Sequence, residues 1–106
     1  MLETDAELKA RLSKLSGTIF WAELAPHFAR GVVVVVAPEL ALMDVAAAFV
    51  RDDRSTVERW LNRGELVQAA DEHAIEWQNR GPVFRTVVTP PWVLVQETDS
   101  ETVAQA

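Results

Sequence analysis

The sequence predicts an α+β domain: a small mixed or antiparallel sheet with a central valine-rich strand, covered by four to five helices. Three observations lead there. "VVVVV" at 32–36 is a run of β-branched residues that favours an extended backbone. No polar residue alternates within it, so both of its faces need cover. Leu42, Val45, Ala46, Phe49 and Val50 recur at helical spacing, the strongest such stripe in the chain. "VVTPPWVLV" at 87–95 sets two strand-like runs around a tight connection, which suggests adjacent strands rather than a purely parallel, doubly wound sheet.

The elements follow in order. Thr4 and Glu7 stand at capping-box spacing and start a helix over 5–15, with Leu8, Leu12 and Leu15 on one face. "FWAELAPHFARG" at 20–31 places Trp21, Leu24, Ala25, Phe28 and Ala29 on one face of a second helix. Pro26 removes a hydrogen bond there, so this helix is expected to bend or to start irregularly. The valine strand comes next and stops before Pro38. A helix within 40–53 is followed by a shorter one capped by Ser55, with Val57, Trp60 and Leu61 turned to the core. "ELVQ" at 65–68 reads as a short strand. Asp71 caps a last helix with Ala74 and Trp77 inward, and strands at 82–88 and 92–96 close the domain. Gly17, Gly31, Gly64 and Gly81 each follow a helical pattern and read as the left-handed residues that close helices. None is left for a phosphate-cradling loop, and neither dinucleotide-binding nor P-loop spacing occurs.

With 106 residues, 49% hydrophobic and 25% charged, the chain suits one domain, expected over 1–96. Residues 97–106 form an acidic tail expected to be disordered. The net charge is −6, and removing the tail's three acids leaves −3. That sign disfavours nucleic acid as a partner, since phosphate contacts supply most non-specific affinity. The absence of cysteine excludes disulfides, thiol catalysis and cysteine-ligated metals. The start carries no apolar leader, and the longest apolar run is far short of the roughly 20 residues a membrane helix needs. A cytoplasmic protein with no membrane partner is the expectation.

Candidate chemistry is sparse. The serines at 13, 16, 55 and 100 lie in no nucleophile motif. Asp52 and Asp53 could hold a ligand or hard cation if buried together, or could simply favour the start of the helix that follows. His73, one turn before Trp77 and three residues from Glu76, is a second ligand candidate whose structural alternative is to cap or flank Trp77. Trp92 behind Pro90 and Pro91 is a candidate interface, because tryptophan is enriched at such surfaces, or it covers the sheet. No catalytic residue, metal centre or cofactor is expected.

"DVAAAFVRDDRSTVERWLNRGEL", residues 44–66, resembles the helix-turn-helix of excisionase-type DNA-binding proteins. The resemblance rests on a small-residue helix, a polar turn, S-T-V-x-R-W and a glycine before a short strand. It departs at the turn, where a glycine is common and this chain has Asp52 and Asp53. It implies that Arg54 and Arg59 would contact nucleic acid. Residues 51–66 hold four arginines and four acids, which counts against an approach to phosphates.

Over 18–97 the order of "FWAELAPHFARGVVVVVAPEL", "LMDVAAAFVRDDRSTVERWLNRGEL", "DEHAIEWQ" and "VVTPPWVLVQE" is similar to the bacterial family called domain of unknown function 2288. That resemblance implies a small domain without an assigned activity and carries over no site residues. The expected function is a non-catalytic interaction or regulatory module that self-associates or binds another protein. A DNA-binding module using 44–66 is the first alternative, and a small-ligand sensor or enzyme is the second.

Overall fold

The computed structural model describes residues 3–98. The elements are α1 (Asp5–Leu15), β1 (Gly17–Phe20), α2 (Trp21–Ala29), β2 (Val33–Val36), α3 (Leu42–Val50), α4 (Arg54–Asn62), β3 (Leu66–Gln68), α5 (Asp71–Arg80), β4 (Val83–Thr89) and β5 (Trp92–Glu97). The fold is α+β with five helices and one mixed sheet. Strand order is β1-β4-β5-β2-β3, with β2 parallel to β5 and every other pair antiparallel. The valine strand β2 is interior, as expected, but the middle place belongs to β5. Among the described residues no helix is long and apolar enough to cross a membrane.

Alternation along the strands divides the core into two layers. Val34, Val36, Leu66, Val87 and Leu94 meet Leu8 and Leu12 of α1 and the Leu42–Ala47 stretch of α3. On the other face Val33, Phe84, Val93 and Val95 meet Leu24 of α2 and Trp77 of α5. Helices on both faces explain why successive valines of β2 are all apolar: each layer takes alternate residues. Gln96 pins the chain entering α3 to β5, its Nε2 donating to the carbonyls of Ala37 and Leu40 at 2.8 and 2.7 Å.

Several local expectations are corrected. Strand β1 was not foreseen, because "GTIF" runs without a loop into the apolar period of α2. Gly17 opens that strand instead of closing α1, which ends on Ser16 donating to the Ser13 carbonyl. The caps move as well. Asp53, not Ser55, caps α4, and Ala70, not Asp71, is the cap position of α5. Leu15 (64% exposed), Leu61 (48%) and Val50 (46%), assigned above to apolar stripes, lie in the last turns of their helices and face solvent. Pro26 lies inside α2, where it contributes no backbone donor to the helix. Glu97, expected to open the tail, belongs to β5 and forms a two-pronged pair with Arg80 at 2.8 and 2.9 Å. Thr98 follows with its amide donating to the Val83 carbonyl at 2.9 Å, and the remainder of the expected tail, 99–106, lies outside the described residues.

Exposed ion pairs tie α1 to α3. Lys9 Nζ lies 2.6 Å from Asp44 and 2.9 Å from Asp5, and Arg51 reaches Asp5 at 2.9 Å. Arg11 holds Glu3 through two donors. Hydrogen bonding to Arg11 and to Lys9 keeps the Glu3 and Asp5 carboxyls below the usual carboxylate range. Their folded-state pKa values are depressed, so the folded form binds fewer protons and these pairs stabilise it above the unfolded carboxylate range. The urea midpoint is therefore expected to hold between pH 7 and pH 5 and to fall below about pH 5. In about 1 M salt this acid-side fall should be shallower, since exposed pairs are screened. A midpoint that rises on acidification would contradict the pairing.

Candidate binding cleft

The corner between α3 and α4 is built by a three-residue turn, Arg51–Asp53. The Asp53 amide donates to the Ala48 carbonyl at 2.9 Å and the Asp52 amide to the Phe49 carbonyl at 3.1 Å. These two bonds form a Schellman closure, which needs a left-handed residue one place after the cap. Here that residue is Asp52, with φ +56°. Helices α2 and α4 close with the same pair of bonds, and there Gly31 and Gly64 take the left-handed place. For an L-residue the conformation costs roughly 1–2 kcal/mol, less for aspartate than for most. The turn thus departs from the expected glycine in residue type while keeping a glycine-like backbone.

Asp53 is committed to α4. Thr56 donates to it through its hydroxyl at 2.8 Å and through its amide at 3.4 Å, and Ser55 Oγ adds a bond at 3.4 Å. The Thr56 hydroxyl, then the Thr56 amide, hold the Asp53 carboxyl below the usual range. Arg54 lies at the first position of α4, 82% exposed in its side chain, with Nε 3.4 Å from Asp52 Oδ1. Arg59 donates weakly to Thr56 Oγ1 at 3.5 Å and has no carboxylate within ion-pair distance among the described residues.

Opposite this corner is the β4–β5 turn. Thr89 and Trp92 face each other in register, and only Pro90 and Pro91, joined by a cis peptide bond, lie between them. Trp92 is half-buried against the α1–α3 layer, and the two prolines are exposed. Thr89 is 5% exposed, and its hydroxyl is buried without a hydrogen-bond partner. An unpaired buried polar group of this kind costs about 1–3 kcal/mol. Thr86, three residues earlier, shows the ordinary arrangement: its hydroxyl donates to the Leu94 carbonyl at 2.9 Å.

Between the two turns lies a cleft of about 430 Å³, within the size range of small-ligand sites. Phe49, Val57, Pro90, Pro91 and Trp92 give it apolar walls, and Thr89 also lines it. Asp52, Asp53, Arg54 and Glu58 supply its charges. The fold thus gathers the aspartate pair, Arg54 and the Pro-Pro-Trp turn, which are up to 40 residues apart in sequence. Thr89 and Glu58 join the site without having been singled out in the sequence. Glu58 had one signal, its place one turn after Arg54; an unpaired hydroxyl has none. A second hollow of about 480 Å³ is lined by Glu3, Leu8, Val50 and Arg51 alone, and both of its charged residues are in ion pairs.

His73 is not part of the cleft. Its Nδ1 accepts from the Ala70 amide at 2.9 Å, which caps α5, and its ring lies 5.4 Å from that of Trp77. It thus takes both halves of the structural alternative, apart from Asp52 and Asp53. Among the described residues no group of three or more histidine, aspartate or glutamate side chains is placed to hold a metal ion.

The chain is 39% identical to PA1075 from Pseudomonas aeruginosa, whose NMR solution structure matches this fold with a TM-score of 0.77 over 95% of this chain and 94% of that one. No curated protein matches the chain. The family model of DUF2288, described as a protein of unknown function, matches residues 7–97. With nearly the whole fold inside that match, the chain belongs to the DUF2288 family.

Proposed function

We propose that this domain is a non-catalytic recognition module and that the cleft between the α3–α4 and β4–β5 turns holds its partner. The observation that carries the reading is a convergence. The left-handed Asp52 and Thr89, whose buried hydroxyl has no hydrogen-bond partner, each carry a local cost to stability and line one cleft walled by Phe49 and Trp92. Strain and unsatisfied polar groups collect at functional sites, where binding can compensate them. Asp53 is poorly suited to acid–base work there. Asp53 is spent on capping α4, and its carboxyl is shifted away from neutrality, the wrong direction for a general acid or base at pH 7.

Nucleic acid fits this surface poorly, because Asp52 and Asp53 stand at the helix end that a recognition helix turns toward bases and phosphates. Self-association has a separate motive. Strand β1 is an edge without a charged residue, and Phe20 at its end is 55% exposed. Such an edge invites strand pairing with a second copy. Light scattering at tens of micromolar would detect the dimer, and Phe20→Lys should abolish it; a strict monomer ends that reading.

The cleft reading is tested with an NMR screen of neutral aromatic and aliphatic fragments against ¹⁵N-labelled protein. The expected shifts cluster at Phe49, Val57, Thr89 and the Trp92 indole. Shifts confined to other surfaces, or no binding at millimolar fragment, would contradict it.

A further inference from the structure

Resting on the recognition reading above, we infer that the partner is a segment of another protein that inserts an arginine or lysine side chain into this cleft, with its aliphatic stem on Trp92 and Phe49 and its charge among the rim carboxylates. The rim sets the sign. Asp52, Asp53 and Glu58 face the cleft against Arg54 alone, a net charge of −2. Arg54 is drawn toward Asp52, while Glu58 has no cationic partner within ion-pair distance among the described residues. The walls set the shape. An apolar surface ending in carboxylates matches a side chain that buries a methylene stem and keeps its cationic head in water. An indole adds a favourable face for that head.

The unpaired Thr89 hydroxyl is the independent sign that the site awaits a polar group. Thr89 lines the cleft and faces Trp92 in the sheet register, and a turn of its side chain toward an inserted N–H would give the buried hydroxyl the partner it lacks. Charge also narrows the occupant. The chain's own C-terminal stretch carries Glu97, Asp99 and Glu101 and no base, so the rim repels it. A second copy, with net charge −6, meets the same sign.

The test uses four capped pentapeptides, Leu-Pro-X-Leu-Gly with X as arginine, lysine, citrulline or glutamate, titrated into the ¹⁵N-labelled full chain at about 20 mM and about 200 mM salt. Arginine and lysine peptides should shift Phe49, Val57, Thr89 and the Trp92 indole, binding at least about fivefold more tightly than the citrulline peptide at low salt. That preference should shrink at the higher salt, and the glutamate peptide should bind weakest. Glu58→Gln should weaken the arginine peptide about two- to fivefold, and Arg54→Gln should strengthen it. Neither residue is in the core, so both variants should fold, which their spectra would show. Equal affinity for arginine and citrulline overturns the inference while leaving an apolar recognition site standing. Spermidine binding the cleft as tightly as the arginine peptide overturns it in favour of a small cation. No cleft shifts from any peptide also overturn it, and the fragment screen then decides separately whether the cleft binds anything.

Discussion

Trp77→Ala is expected to remove most of the domain's stability. Trp77 is 1% exposed and is the largest fully buried side chain in the layer between the sheet and α2–α5. Its ring meets Phe84 edge-on at 4.9 Å and lies 5.8 Å from Trp21. Truncating a buried tryptophan costs about 3–5 kcal/mol, from lost burial and from the cavity left behind. A domain of this size is stable by roughly 5–15 kcal/mol, so the loss is a large share of the total. Urea unfolding should show the midpoint drop, and near-ultraviolet circular dichroism should lose much of its aromatic signal. A loss below about 1 kcal/mol would mean that the aromatic cluster is not the core of that layer.

Leu94→Ala should cost about 2–5 kcal/mol from the opposite layer. Leu94 is fully buried on β5, the middle strand, in register with Val87 of β4 and Val34 of β2. It lies beneath α1 and α3, across the sheet from Trp77. Because one sheet serves both layers, the variant should still unfold in a single transition, seen alike by tryptophan fluorescence and far-ultraviolet circular dichroism. The slope against urea should match the parent's while the midpoint falls. Two separated transitions would mean that the layers are independent units.

How far the sequence revealed this molecule depended on how local each cause is. The valine run, the α3 stripe and the Pro-Pro turn are local patterns, and they correctly placed an interior strand, a buried helix and an antiparallel β4–β5 pair. Strand β1 escaped because its four residues form a strand only by pairing with β4, more than 60 residues away. The outward-facing ends of the stripes, Leu15 and Leu61, escaped for a related reason: periodicity marks a face, and only the neighbouring elements decide how far it is covered. In the cleft, the residue types at Asp52, Asp53 and Trp92 drew notice, but their convergence did not. It needs the α3–α4 corner and the β4–β5 turn to meet across one layer of the sheet. The left-handed backbone of Asp52 was half-visible, as the place where the resemblance to a helix-turn-helix lacks its glycine.

That position gives the most direct test of the claim that this cleft gives up stability for recognition. Asp52→Gly removes the left-handed strain and one rim carboxylate in a single change. Urea unfolding should show a gain of up to about 1 kcal/mol, the relieved left-handed cost less the extra freedom glycine has in the unfolded chain. Titration of the same variant with the arginine peptide should show affinity weaker by about two- to fivefold. A stability gain with unchanged or tighter binding would contradict the claim, as would a variant less stable than the parent.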